Sequence, residues 1–190
     1  MTSRMILAAL LAAAMPAAAI ADSKHIDVAQ SSMTVYVYKT GLFSFFADNH
    51  TIAAPIASGT IDEGAGIVHL VVDATRMRVL DPGGDHGHRD TVQANMLGPQ
   101  VLDTAHYPQI TFASTSIHQN TAAHWTVDGD LTLHGQTHPV VVDVTRGSPG
   151  HFEGSATVTQ TDFGITPITI AGGTVKVKND VKIQFTIVTK

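Results

Sequence analysis

Eleven histidines in a chain without cysteine raise a metal site as the first chemistry to consider. Asp85-His86-Gly87-His88-Arg89-Asp90 gathers two imidazoles and two carboxylates in a glycine-containing stretch. Zinc or copper needs three or four such ligands in fixed geometry. His86 and His88 are therefore metal ligands only if the segment converges on one point. The other reading is a solvated loop capping the helix that follows. His134 and His138 lie four apart but flank a strand turn, without the helix that aligns the imidazoles of His-Glu-x-x-His. Asp128 and Asp130 share one face of a strand, the face that also carries Thr132 and His134, where carboxylates are simply solvated. Acyl transfer lacks a Gly-x-Ser-x-Gly elbow, and thiol chemistry lacks the thiol. No catalytic residue is assigned, and the chain reads as a non-enzyme.

Charge narrows the partners. A formal net charge of −5 argues against nucleic acid, which requires clustered cations, and against electrostatic attachment to an anionic membrane. Residues 1–21 read as a secretion signal: Arg4, an apolar run from Met5 to Met15, a break at Pro16, and the small-x-small site Ala19-Ile20-Ala21. The apolar run is too short for a permanent span. Residues 22–190 then form one domain in an exported compartment. Disulfides are permitted there but impossible here, so stability must come from a packed or ligand-filled apolar core.

Period-two patterning dominates those residues. Across 174–188, Val175, Val177, Val181, Ile183, Phe185 and Ile187 share one face with Asn179 among them. Lys176, Lys178, Asp180, Lys182 and Gln184 share the other. Trp125, Val127, Leu131 and Leu133 form a similar dry row. Segments 33–40, 51–61, 67–74, 109–117, 139–145 and 151–162 complete about eight expected strands. Helix is expected at 86–97, with Val92 and Met96 on one face and Gly98-Pro99 as its stop, and a helical turn at 42–46. Such strands close into a barrel or split into a sandwich. An aromatic content of 6% supplies few residues for the girdles of a membrane barrel, which favours the water-soluble form.

Several blocks carry a family resemblance. They are Gly129-Asp130-Leu131-Thr132-Leu133-His134-Gly135 followed by Pro139-Val140; Val101-Leu102-Asp103 with Tyr107-Pro108-Gln109-Ile110-Thr111-Phe112; Asp162-Phe163-Gly164-Ile165; and the closing strand from Val175 to Ile187. In order and spacing the chain resembles the YceI-like family of periplasmic polyisoprenoid-binding proteins. It departs from that pattern at Gln160 and Thr161, where family members often carry an arginine.

The resemblance implies an all-β fold, an eight-stranded antiparallel lipocalin-like barrel with one or two short helices. It implies an apolar tunnel holding an isoprenoid lipid of the prenyl quinone or polyprenyl phosphate type. Candidate tunnel residues are Met33, Val35, Val37, Phe112, Trp125, Val127, Leu131, Leu133, Val140, Val142, Phe152, Val158, Ile183 and Phe185. Barrels of this size either fill with side chains or hold one small ligand, so the same residues also read as plain core. Lys39, His50 and Arg89 are the candidate headgroup contacts, because a cation near a barrel mouth can pair with phosphate or donate to a quinone carbonyl. The expected role is a periplasmic carrier that needs no cofactor, in storage, delivery or presentation of quinone to a membrane redox protein. The alternative is a histidine-based metal-binding or stress-protection module.

Overall fold

In the long strands every second side chain turns inward, and that alternation fixes the architecture. The computed structural model describes residues 23–41, 49–80, 86–170 and 175–190, with backbone alone at 86–88 and 170. The strands are β1 (Ser23–His25), β2 (Ser32–Val37), β3 (Lys39–Thr40), β4 (His50–Ala53), β5 (Ile56–Asp62), β6 (Ile67–Asp73) and β7 (Arg78–Val79). After helix α1 (His86–Leu97) come β8 (Gln109–Gln119), β9 (His124–Leu133), β10 (Gln136–Ser148), β11 (His151–Thr159), β12 (Thr169–Ile170), β13 (Val175–Val177) and β14 (Asp180–Val188). Eleven of them make one antiparallel sheet in the order β1-β5-β6-β8-β9-β10-β11-β14-β2-β4-β7, and β12-β13-β3 form a small second sheet.

The large sheet curls until its first strand reaches the end of β14. Beyond β1, Ile26 bridges Thr189, Asp27 N donates to Val188 O at 2.7 Å, and Lys190 N donates to His25 O at 2.9 Å. The first strand thus pairs with β5 on one side and joins the end of β14 on the other. Lower on the same seam, Ala54 N donates to Met33 O at 2.9 Å and Asp73 N to Pro55 O at 3.0 Å, so the chain runs from β4 into β5 without leaving the wall. Gln30 Nε2, donating to the Asp27 carboxylate at 3.0 Å, lowers the pKa of that group beside the closure.

Several expected elements are interrupted. The segment 51–61 is two strands, because Pro55 removes a ladder donor between them. The segment 174–188 divides at Lys178-Asn179, with β13 joining the small sheet. Asn179 hooks the chain there: its Oδ1 accepts from Thr161 N at 3.1 Å and its Nδ2 donates to Thr161 Oγ1 at 2.8 Å. Strand β11 ends at Thr159, and a 3-10 turn follows over Gln160–Phe163, ending on Gly164 at φ 72°. Pro139 lies inside β10 rather than at its start; β11 pairing begins only at Val142, so no second ladder is broken. The three short strands β1, β7 and β12 lie outside the expected segments. The turn expected at 42–46 lies outside the described residues.

Helix α1 spans the expected residues, and Met96 is buried with Val92 packed beside it. Gln93 sutures the helix to the sheet: Oε1 accepts from Val79 N at 2.8 Å and Nε2 donates to Met77 O at 2.9 Å. Gly98 N then donates to Ala94 O at 3.0 Å, and Pro99 prevents continuation.

Gly129 is buried in β9, and a Cβ there would collide with the Phe112 ring and come 2.7 Å from Ala113 O. Glycine therefore lets β8 place its aromatic ring over the neighbouring strand. Gly129→Ala is expected to lower unfolding free energy by about 1–3 kcal/mol through overpacking, measured by urea denaturation.

Candidate functional site

The inward rows do not meet in the middle. They leave a cavity of about 490 Å³ running along the barrel, within the approximate 300–1,000 Å³ range of small-molecule sites. Every expected wall residue, from Met33 to Phe185, lines it, Trp125 and Val158 among them. Sequence reading missed a second set of wall residues from β1 through α1 and the loop after it: Ile26, Ile52, Leu70, Val72, Met77, Met96 and Leu102. Alternation within 67–74 was the available signal for Leu70 and Val72. Met96 was already placed on the apolar helix face.

The two ends differ chemically. At one end the wall consists of Met77, Met96, Val101, Leu102, Leu133 and Ile165, supplied by α1, the segment after it and the turn after β11. Gln160 is the polar wall residue of that region, and its Nε2 is committed to Lys178 O at 2.8 Å. At the other end the wall includes Asp62, Glu63, Gln119, Trp125 and Arg146. Asp62 is only 5% exposed, and its Oδ1 accepts from Ala65 N at 2.8 Å, which fixes the turn between β5 and β6. Glu63 Oε2 accepts from Arg146 at 2.9 Å, Lys24 stands 3.5 Å from Glu63 Oε1, and the Arg146 guanidinium lies 5.0 Å over the Trp125 ring.

The expected headgroup contacts fall elsewhere. Lys39 pairs with Val177 in the small sheet, His50 pairs with Val37, and Arg89 belongs to α1. None of the three is among the residues lining the cavity; Lys39 and His50 lie on strands at the end opposite Glu63 and Arg146. The one cation at the cavity wall among the described residues, Arg146, was missed since nothing local distinguishes it from a surface residue.

The histidine and acid clusters separate. His86 and His88 begin α1, and their side chains lie outside the described residues. Among the described residues no three His, Asp or Glu side chains converge as metal ligands. His134 and Gly135 form the two-residue turn between β9 and β10, with φ of 51° and 72°. His134 is not merely solvated as its place in the row suggested. It is half-buried, its Nδ1 donates to Phe163 O at 3.1 Å, and Tyr107 meets it edge-on at 5.3 Å. His138 meets the Phe163 ring edge-on at 5.3 Å. Asp130 is exposed, as expected for the wet face.

Ser116, His118 and Asp128 come together on β8 and β9, yet not in a catalytic order. Ser116 Oγ donates to Asp128 Oδ2 at 2.7 Å, while His118 Nε2 faces both groups, at 3.2 Å and 3.4 Å. A nucleophilic triad needs one imidazole nitrogen on the serine and the other on the carboxylate.

A closed antiparallel wall around an apolar tunnel, with a charged rim at one end, defines a lipocalin-like barrel protein. The YceI-like domain profile matches residues 23–189, and the chain belongs to that family. It is 28% identical over 183 residues to a UPF0312 protein of Shewanella putrefaciens, covering 85% of this chain and 87% of that one. It is 34% identical over 90 residues to a UPF0312 protein of Pseudomonas syringae pv. tomato, where the match spans 43% of this chain and 45% of the relative. Among solved structures, BcnA of Burkholderia cenocepacia superposes with a TM-score of 0.65 at 21% identity, covering 87% of this chain and 99% of that one. The YceI protein of Campylobacter jejuni gives 0.50 at 14% identity, covering 81% and 85%. These likenesses define the fold.

His134→Ala would remove the donor to Phe163 O and leave a side chain in the left-handed region. A loss of about 1–2 kcal/mol is expected, read from the urea midpoint. His138→Ala retains that hydrogen bond and should cost less.

Proposed function

We propose that the protein is a carrier for an isoprenoid lipid, with the tail in the barrel tunnel and a polar headgroup near the rim. The observation that carries this reading is a continuous cavity whose wall is aliphatic and aromatic for most of its length, with charge gathered at one end. An empty apolar tunnel of this size is an inefficient way to stabilise a fold, since unfilled space forfeits dispersion contacts. A tail that fills it restores those contacts. Each buried methylene contributes roughly 0.8 kcal/mol, so several isoprene units yield tight binding after the cost of ordering the tail. The headgroup then sets selectivity.

The reading includes export to the periplasm after removal of residues 1–21, where the carrier stores a prenyl quinone or polyprenyl phosphate or hands it to a membrane redox protein. It requires no metal and no catalysis.

Native mass spectrometry of protein gently extracted from its source is expected to show an added lipid mass. Protein that is repeatedly empty and that ignores added prenyl quinones would contradict the proposal. Val142 is buried in β10 and lines the tunnel. Val142→Trp should fill part of the tunnel and weaken lipid retention at least about tenfold, while overpacking changes stability by about 1–3 kcal/mol.

A further inference from the structure

The ion pair between Glu63 and Arg146 joins two walls that are not neighbours. Glu63 sits in the turn after β5 and Arg146 near the end of β10, with β6, β8 and β9 between those strands in the sheet. Both residues line the tunnel, and their side chains approach to 2.9 Å. A contact between separated strands at one barrel end passes across the opening instead of along the wall. We propose that this pair is a latch over the tunnel mouth, that ligand exchanges through this end, and that opening the pair gates the exchange. The inference rests on the lipid-carrier reading above and assigns its portal.

Three further observations fit a latch. The two side chains are 37% and 36% exposed, so parting them leaves no charge stranded in an apolar interior. Each partner has somewhere to rest when the pair opens: Glu63 keeps Lys24 at 3.5 Å on its own wall, and the guanidinium keeps the Trp125 ring. The turn itself stays fixed, because Asp62 Oδ1 holds Ala65 N at 2.8 Å. Among the described residues the opposite end offers no ion pair across the tunnel: its wall side chains are Met77, Met96, Val101, Leu102, Leu133 and Ile165, with Gln160 bonded to Lys178 O. There Gln93 also ties α1 to the sheet through Val79 N and Met77 O.

The test is stopped-flow exchange of farnesol, read from the fluorescence of Trp125, the chain's sole tryptophan. Wild type is compared with Glu63→Gln, Arg146→Gln and the double variant, after thermal unfolding establishes that each is folded. Each single substitution should speed both association and dissociation about two- to fivefold, as loss of an exposed ion pair allows. The dissociation constant should stay within about threefold, and the double variant should exchange no faster than either single one. Added salt should accelerate wild type and leave the variants unchanged. Variants that exchange at wild-type rates, or a change confined to Arg146→Gln, would overturn the latch while leaving the carrier reading intact. Failure of farnesol to bind wild type at all would overturn the carrier reading and the latch together.

Discussion

A single antiparallel sheet with one dry face must bury that face, and here the sheet buries it against itself. Helix α1 and the small sheet β12-β13-β3 are too short to cover eleven strands. Curling is the remaining solution, and it succeeds because Ile26, Asp27 and Lys190 carry the bonds that join the β1 end to the end of β14. The same constraint produces the cavity. A wall one strand thick, closed over inward-pointing Val, Ile, Leu and Phe, leaves space along its axis unless large residues fill it. Among the described residues the largest fully buried side chain is Phe163, which sits at the turn after β11 and does not line the tunnel.

Small and irregular residues tune this wall. Gly129 and Gly154 allow the rings of Phe112 and Phe185 to lie across neighbouring strands instead of standing into the tunnel. Asn179 and Gln160 close the break before β14, each satisfying backbone groups that the interrupted ladder leaves open. Polar residues on inward rows therefore act as fasteners at strand ends, and the middle of the tunnel stays apolar.

Local pattern made much of this legible. Period-two alternation identified the long strands and their tunnel faces, because inward direction along a strand depends only on parity. Helix α1 was legible from its apolar spacing and its Gly98-Pro99 stop. What depended on distant partners was not. Strand β1 has three residues and no dry row; only its bonds to β5 and to the chain end give it a place. Glu63 and Arg146 are 83 positions apart, and no spacing rule links them. Lys39, His50 and Arg89 had suitable chemistry near strand or helix starts, but register and topology put them away from the tunnel wall. The Val127–Val140 block was informative for the opposite reason. Its acids and histidines drew attention, while its Val127, Leu131 and Leu133 build the tunnel.

The central claim is that tail burial in this tunnel dominates ligand affinity. Isothermal titration with prenyl alcohols of increasing length, from two isoprene units upward, tests it directly. The account predicts affinity that rises with each added unit until the tunnel is full, accompanied by an increasingly negative heat-capacity change. Affinity independent of tail length would contradict it.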